Sequence, residues 1–167
     1  MAIHYRTEYP ATPERVLSIL TDSDFLREHA AELQVLSHEA ELQEKNGVWS
    51  IYLRLVAPTK DIAAIFRPFV GSEIVMHARR EWIADGNGGY GSKLHIEASV
   101  KGRPVSVTGS LSLKPTAIGT EFVAEWKTTV SVRFIGGLVR DAIDDLVKES
   151  FEDETIVMRR WLAANRK

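Results

Sequence analysis

The spacing of hydrophobic residues divides the N-terminal part of the chain into one strand and two short helices. Ile, Tyr and Thr side chains alternate with His, Arg and Glu over residues 3–9, which predicts a half-buried strand. Thr12 followed by Pro13 is typical of a helix N-cap and first helical residue. A second short helix is predicted to begin at Asp22 or Ser23.

A two-residue period dominates from Leu36 to Phe134 and predicts about six strands. Asn46-Gly47 and the glycine-rich stretch 85–89 have the residue types that favour tight hairpin turns. Gly102-Arg103-Pro104 predicts a further turn between two of these strands. Successive strands joined by short turns form an antiparallel meander.

The period becomes helical at Leu138 and is predicted to remain so nearly to Asn165. At ~1.5 Å per residue this helix has a length of about 40 Å. Acidic residues crowd its first turns and basic residues its last, an arrangement that complements a helix dipole. The predicted inward stripe consists of Val139, Ala142, Ile143, Leu146, Ser150, Val157 and Trp161.

Composition excludes several functional classes. The chain has 167 residues and no cysteine, which excludes disulfides, thiolate nucleophiles, iron–sulfur clusters and Cys-based zinc sites. A net charge of -2 provides no basic surface of the kind that nucleic acid requires. The N-terminus is polar and the sequence contains no long apolar run, so we expect a cytoplasmic protein without stable membrane insertion.

Neither the histidines nor the glycine-rich stretch of the sequence forms a recognisable metal or dinucleotide motif. The five histidines lie on different predicted elements, without the spacing of a zinc site, so we expect no metal and no cofactor. The stretch from Gly86 to Gly91 satisfies the string G-x-G-x-x-G, but an alternating strand follows it where a dinucleotide site has a helix. A hairpin loop is therefore expected there.

The order of these elements, together with several short motifs, resembles the START-like superfamily, which includes lipid-transfer domains, aromatic polyketide cyclases and pollen allergens. The motifs resemble an uncharacterised branch of that superfamily and are Trp82, Gly102-Arg103-Pro104-Val105, Gly109, Gly119-Thr120, Ile135-Gly136-Gly137 and Trp161-Leu162-Ala163. The resemblance implies a single domain over residues 1–167 with an α+β helix-grip fold. In this fold about seven antiparallel strands form a curved sheet around the long C-terminal helix, two short helices follow the first strand, and a cavity lies between sheet and helix.

Arg80 is a charged residue at a strand position where the alternation predicts an apolar one. It shares its phase with Ile74, Met76, Ala78 and Trp82, so its cation is predicted on the concave side of the sheet. One interpretation is an internal ion pair with Glu154, which interrupts the apolar stripe of the last helix, or a side chain that extends to the rim. The other is a fixed charge that orients a ligand carboxylate, carbonyl or enolate.

The segment from Ala57 to Val70 interrupts the strand pattern. Ile62, Ile65, Phe66 and Phe69 follow a helical spacing within it. These side chains are predicted either to cover an open end of the sheet or to form a gate over the cavity mouth.

Our first hypothesis is that the protein binds a small hydrophobic or amphipathic molecule, such as a lipid or polyketide, between the sheet and the long helix. Arg80 or Ser150 would orient the ligand. The residues predicted to line the cavity are Trp49, Ile51, Leu53, Phe66, Phe69, Arg80, Trp82, Leu94, Ile96, Phe122, Trp126, Leu146, Ser150, Glu154 and Val157.

Two alternatives stay open. An enzyme resembling polyketide cyclases would fold a chain in the pocket and move protons with Arg80, Tyr52, His77 or Glu154. The sequence offers no convincing acid–base pair among them, so no catalytic residue is assigned. A protein-interaction module would instead hold a partner, or a second copy of itself, so that the protein is either a monomer or a homodimer.

Overall fold

The computed structural model describes residues 2–59, 68, 71–100, 102–131 and 135–164. Within these ranges the chain forms seven strands and three helices. They are β1 (Ile3–Tyr9), α1 (Pro13–Leu20), α2 (Ser23–Leu33), β2 (Ser37–Lys45), β3 (Val48–Pro58), β4 (Glu73–Ala84), β5 (Tyr90–Val100), β6 (Arg103–Pro115), β7 (Thr120–Val130) and α3 (Gly136–Ala163).

The strands form one antiparallel sheet in the order β1-β7-β6-β5-β4-β3-β2. Strands β2 to β7 pair with their chain neighbours. β1 is an edge strand and pairs with β7. The predicted α+β helix-grip architecture is confirmed, including the meander and the two short helices after the first strand. At the opposite edge β2 is exposed along almost its whole length.

The short turns form where the sequence predicts them. Asn46 and Gly47 both have positive φ, 54° and 78°, as a type I′ hairpin turn requires. In the glycine-rich loop the Asp85 carboxylate accepts hydrogen bonds from the backbone N–H of Asn87 at 2.7 Å and of Gly89 at 3.1 Å. This loop joins β4 to β5, so the predicted hairpin is confirmed.

Gly109 allows β6 and β7 to approach closely. It lies opposite Trp126 in the register of the two strands. A Cβ atom at this position would lie 1.9 Å from the Glu125 carbonyl oxygen and 2.8 Å from the Trp126 Cα, both of them backbone atoms. Only glycine has room here, at a close contact between the second and third strands from the β1 edge.

Both short helices have the predicted N-terminal residues. The Thr12 hydroxyl accepts a hydrogen bond from the Arg15 N–H at 3.3 Å, with Pro13 as the first helical residue. Asp22, rather than Ser23, is the N-cap of α2 and accepts from the N–H groups of Asp24 at 2.7 Å and Phe25 at 3.3 Å.

Helix α3 begins at Gly136, two residues before the predicted start, and its 28 residues extend about 42 Å. Its buried residues are Val139, Ile143, Val147, Phe151, Glu154, Thr155, Val157, Met158 and Trp161. Among the described residues no helix combines the length and the apolar composition needed to cross a bilayer.

Helix α3 lies across β7 and β1 on the concave side of the sheet. The Phe151 ring lies 5.5 Å from the ring of Trp126, and Asp144 accepts hydrogen bonds from Trp126 Nε1 at 3.2 Å and Thr128 Oγ1 at 2.5 Å. The Tyr5 hydroxyl is 2.8 Å from the Thr155 hydroxyl. These contacts fix the helix over one half of the sheet. Helix α2 in turn packs against α3.

Candidate functional site

A cavity of about 110 Å³ lies between the concave side of β3, β4 and β5 and the helices α2 and α3. The lining residues are Leu26, His29, Ala30, Leu33, Gln34, Val35, His38, Leu53, Leu55, Ala57, Pro58, Met76, Ala78, Arg80, Leu94, Ile96, Leu146, Val147, Glu149, Ser150 and Phe151. Of these, Gln34 and Glu149 are exposed, so the cavity reaches the protein surface beside the end of α2.

The apolar walls follow from strand alternation. Every second residue of β3 and β4, such as Leu53, Leu55, Met76 and Ala78, points to the concave side. Most of these side chains are only half-buried, unlike Leu94 on β5, which is almost fully buried. The cavity thus holds apolar surface that the protein's own packing leaves partly uncovered.

Arg80 provides the cation in this wall. Its Nη1 donates a hydrogen bond to Glu154 Oε2 at 2.9 Å, and its side chain is 11% exposed against 2% for Glu154. The guanidinium also lies 5.5 Å from the centre of the Phe151 ring. The predicted inward orientation of Arg80 and its internal ion pair with Glu154 are both present.

His29 of α2 lies beside the ion pair of Arg80 and Glu154. Its Nε2 lies 2.8 Å from the Ser150 carbonyl oxygen, which is only an acceptor, so Nε2 carries the proton. Its Nδ1 lies 3.9 Å from Glu154 Oε2. Burial lowers the pKa of His29 and the nearby Arg80 lowers it too, against the opposing effect of Glu154. The imidazole is therefore neutral at neutral pH and forms no ion pair with Glu154.

The structure divides the residues that the sequence predicts for the cavity. Those that line it are Leu53, Arg80, Leu94, Ile96, Leu146 and Ser150. Those packed into the hydrophobic core are Ile51, Trp82, Phe122, Trp126 and Val157. Glu154 is buried behind Arg80, and Trp49 is half-buried with its ring 6.2 Å from that of Tyr90. Phe66 and Phe69 lie outside the described residues, as do Ile62 and Ile65.

The four candidates for acid–base chemistry lie on opposite sides of the sheet. Arg80 and Glu154 are on the concave side, whereas Tyr52 and His77 face outward, with the Tyr52 hydroxyl 2.6 Å from His77 Nδ1. The sheet separates the two pairs, so they do not form one site. Over the described part of the chain no three His, Asp or Glu side chains are arranged to hold a metal ion.

Sequence reasoning missed His29 and Phe151. A signal for His29 was present, because it follows Phe25 by four residues and Leu26 by three, which places it on the inward face of α2. Phe151 follows Val147 by four residues in the same way. The connection after α2, with Gln34 and Val35, gave no periodic signal at all.

Several solved structures have this architecture. Protein TTHA0849 from Thermus thermophilus is 21% identical with a TM-score of 0.67, over 100% of both chains. A STAR-related lipid transfer protein from Xanthomonas axonopodis is 17% identical with a TM-score of 0.61, over 97% of this chain and 85% of its own. The di-domain ARO/CYC protein StfQ of the steffimycin biosynthetic pathway is 13% identical with a TM-score of 0.64, over 98% of this chain and 51% of its own.

These likenesses, together with the long helix held against a curved sheet, define the class: the protein has the START-like fold. Its sequence places it more narrowly. A family model described as "Protein of unknown function (DUF2505)" matches residues 4–162, and the chain belongs to this family. Among curated proteins none matches the sequence.

Proposed function

We propose that the protein acts as one START-like domain that binds a small apolar or amphipathic molecule in the cavity between the sheet and α3. The observation that carries this proposal is the combination of half-buried apolar walls with a buried polar cluster, Arg80 with Glu154 and His29, at the cavity wall. Ligand sites typically combine such apolar walls with a few convergent polar groups.

The size of the cavity limits the ligand. A volume of about 110 Å³ is below the ~300–1,000 Å³ of typical ligand pockets and close to the ~150 Å³ of a cavity that holds benzene. The expected ligand is therefore no larger than a single ring or a short acyl chain. Burial of about 200 Å² of apolar surface gives roughly 5 kcal/mol before the cost of immobilising the ligand, which corresponds to weak binding.

The structural neighbours support binding as the use of this fold. One is named as a lipid transfer protein and another as a biosynthetic ARO/CYC protein. Binding is favoured over catalysis for this chain because Tyr52 and His77 face away from the cavity, which leaves Arg80 and Glu154 without the other candidate proton donors.

A titration with acetophenone, a single ring with one carbonyl group, tests the proposal by protein-observed NMR. We expect saturable shifts of backbone signals at Leu53, Ile96 and Leu146. Ala78→Leu fills the cavity and should abolish these shifts. Ala84→Leu, the same change at an exposed position of β4, should retain them. Absence of saturable shifts, or shifts that Ala78→Leu leaves unchanged, would overturn the proposed function.

A further inference from the structure

The buried cluster at the cavity wall, Arg80 with Glu154 and His29, has no net charge although it contains a guanidinium. The positive charge of Arg80 is balanced by the Glu154 carboxylate 2.9 Å away. The third group, His29, is held neutral by its burial and by the neighbouring Arg80. A ligand therefore meets a cation whose charge is already compensated inside the protein.

Arg80 still has hydrogen-bond donors to offer. A guanidinium carries five N–H groups, and within the described residues only Nη1 makes a hydrogen bond, to Glu154. The remaining donors belong to a side chain that is 11% exposed and lines the cavity. They can bind an oxygen acceptor that enters the cavity.

The surroundings disfavour a charged ligand of either sign. Glu149 lines the cavity and is exposed, and Glu149 and Glu32 both lie close enough to Asp153 to raise the pKa of that carboxyl. An anion would meet these carboxylates and the buried Glu154, and the described lining residues offer it no unbalanced cation. An ammonium group would lose its hydration on entering the cavity, and the positive charge of Arg80 would repel it there.

We propose that the cavity selects uncharged ligands that carry a carbonyl or hydroxyl oxygen, which accepts hydrogen bonds from the free N–H groups of Arg80. This inference rests on the proposed function and adds the chemical class of the ligand. Hydrogen bonds to a charged donor are stronger than neutral ones, so the oxygen gives orientation as well as affinity.

Three probes of nearly the same shape test the inference at pH 8. Alpha-methylstyrene lacks the oxygen, acetophenone has a neutral carbonyl, and benzoate has a full negative charge. We expect acetophenone to bind roughly tenfold more tightly than either of the others, measured by NMR titration. Benzoate binding as tightly as acetophenone, or alpha-methylstyrene doing so, would overturn this inference and leave the proposed function intact. If none of the three binds, the proposed function is itself wrong.

Two variants separate the roles of the charge and the donors. Glu154→Gln keeps the shape of the side chain but leaves the charge of Arg80 unbalanced, so the preference should move at least tenfold towards benzoate. Arg80→Met removes the donors and should abolish the preference of the protein for acetophenone over alpha-methylstyrene.

Glu152→Gln is the control, because it removes one carboxylate from an exposed position on the same helix and should leave all three affinities unchanged. The probe series on the unaltered protein decides the question even if a variant does not fold. An unchanged probe preference in a folded Glu154→Gln variant would contradict the inference.

Discussion

One carboxylate allows Arg80 to lie inside the protein. Removal of one partner from a buried ion pair typically costs about 3–5 kcal/mol, because the remaining charge has lost both water and its counter-ion. We therefore expect Glu154→Ala to lower the free energy of unfolding by about that amount. Urea denaturation at pH 7.5 measures it.

The control is an exposed pair. Arg6 and Glu121 lie 3.5 Å apart, and Arg6 is 71% exposed, so Arg6→Ala should cost less than about 1 kcal/mol. The double variant Arg80→Met with Glu154→Leu should recover most of the lost stability, since apolar side chains of similar size replace both charges. A cost of Glu154→Ala no larger than that of Arg6→Ala would contradict the prediction.

Gly109 is a position where one added methyl group should destabilise the protein. Gly109→Ala would place its Cβ 1.9 Å from a carbonyl oxygen of β7, and the sheet must deform to accept it. We expect a loss of about 3 kcal/mol in thermal or urea unfolding. The matched control is Gly91→Ala on the neighbouring strand, where the nearest atom is 3.9 Å away. This change should be neutral or stabilise by about 0.5 kcal/mol, and equal effects of the two would be inconsistent with the geometry.

At the scale of elements, α3 contains an acidic residue that opposes folding. Partial burial and the negative charges of Glu149, Glu32 and Glu152 raise the pKa of Asp153 to about 6 from the ordinary value of 3.8. The folded protein thus binds a proton at Asp153 more readily than the unfolded chain does. Ionised Asp153 therefore destabilises the fold as the pH rises through 4 to 6, and the penalty is fully present above pH 6.

Asp153→Asn should consequently raise the free energy of unfolding at pH 8 by about 1 kcal/mol, a modest amount because water screens this half-buried side chain. Below pH 4 the gain should vanish. Urea denaturation at the two pH values measures the difference. Asp145→Asn, at an exposed position on the same helix, should change little, and a pH-independent effect of Asp153→Asn would exclude the proposed cause.

The elements themselves were largely predictable because each depends on local chemistry. Asn46-Gly47, the Thr12-Pro13 pair and the two-residue alternation act over a few neighbouring residues, and all three predictions hold in the structure. The inward face of α3 was harder to predict from the sequence. The sequence permits one stripe through Leu146 and Ser150 and another, about 100° away, through Val147 and Phe151, and only packing against β7 decides that Phe151 is buried.

At the scale of the molecule, strand phase predicted which residues point to the concave side but not which of them line the cavity. Trp126 and Leu53 both face inward. Helix α3 covers β7, so Trp126 becomes core, whereas the face of β3 stays partly uncovered and Leu53 lines the cavity. The position of the helix across the sheet depends on contacts distant in sequence, such as Phe151 with Trp126, which no local pattern encodes.

The contribution of His29 to the stability of the whole fold should fall in mild acid, opposite in sign to the contribution of Asp153. The folded pKa lies below the ordinary value of 6.5, so as the pH falls below 6.5 the unfolded chain takes up a proton at His29 before the folded protein does. The contribution of His29 to the free energy of unfolding should decrease there by up to about 1.4 kcal/mol per pH unit, until the folded imidazole also titrates.

Urea denaturation between pH 7.5 and 5 measures this slope. His29→Gln should remove its contribution, since glutamine can donate to the Ser150 carbonyl without titrating. His95→Gln, on the exposed outer face beside Glu97, should leave the contribution of His29 in place. An unaltered slope in His29→Gln would assign the acid sensitivity to other groups.

The bare edge of the sheet has a kinetic consequence. β2 pairs with β3 on one side and its side chains from Glu39 to Lys45 are exposed, so it can open locally while β7 and α3 stay closed. Its amide hydrogens should exchange with deuterium well before those of β7, as mass spectrometry of peptides would reveal. Such local opening at β2 would let a ligand enter and leave without unfolding the rest of the protein. Equal exchange rates in β2 and β7 would mean instead that β2 opens only when the whole protein does.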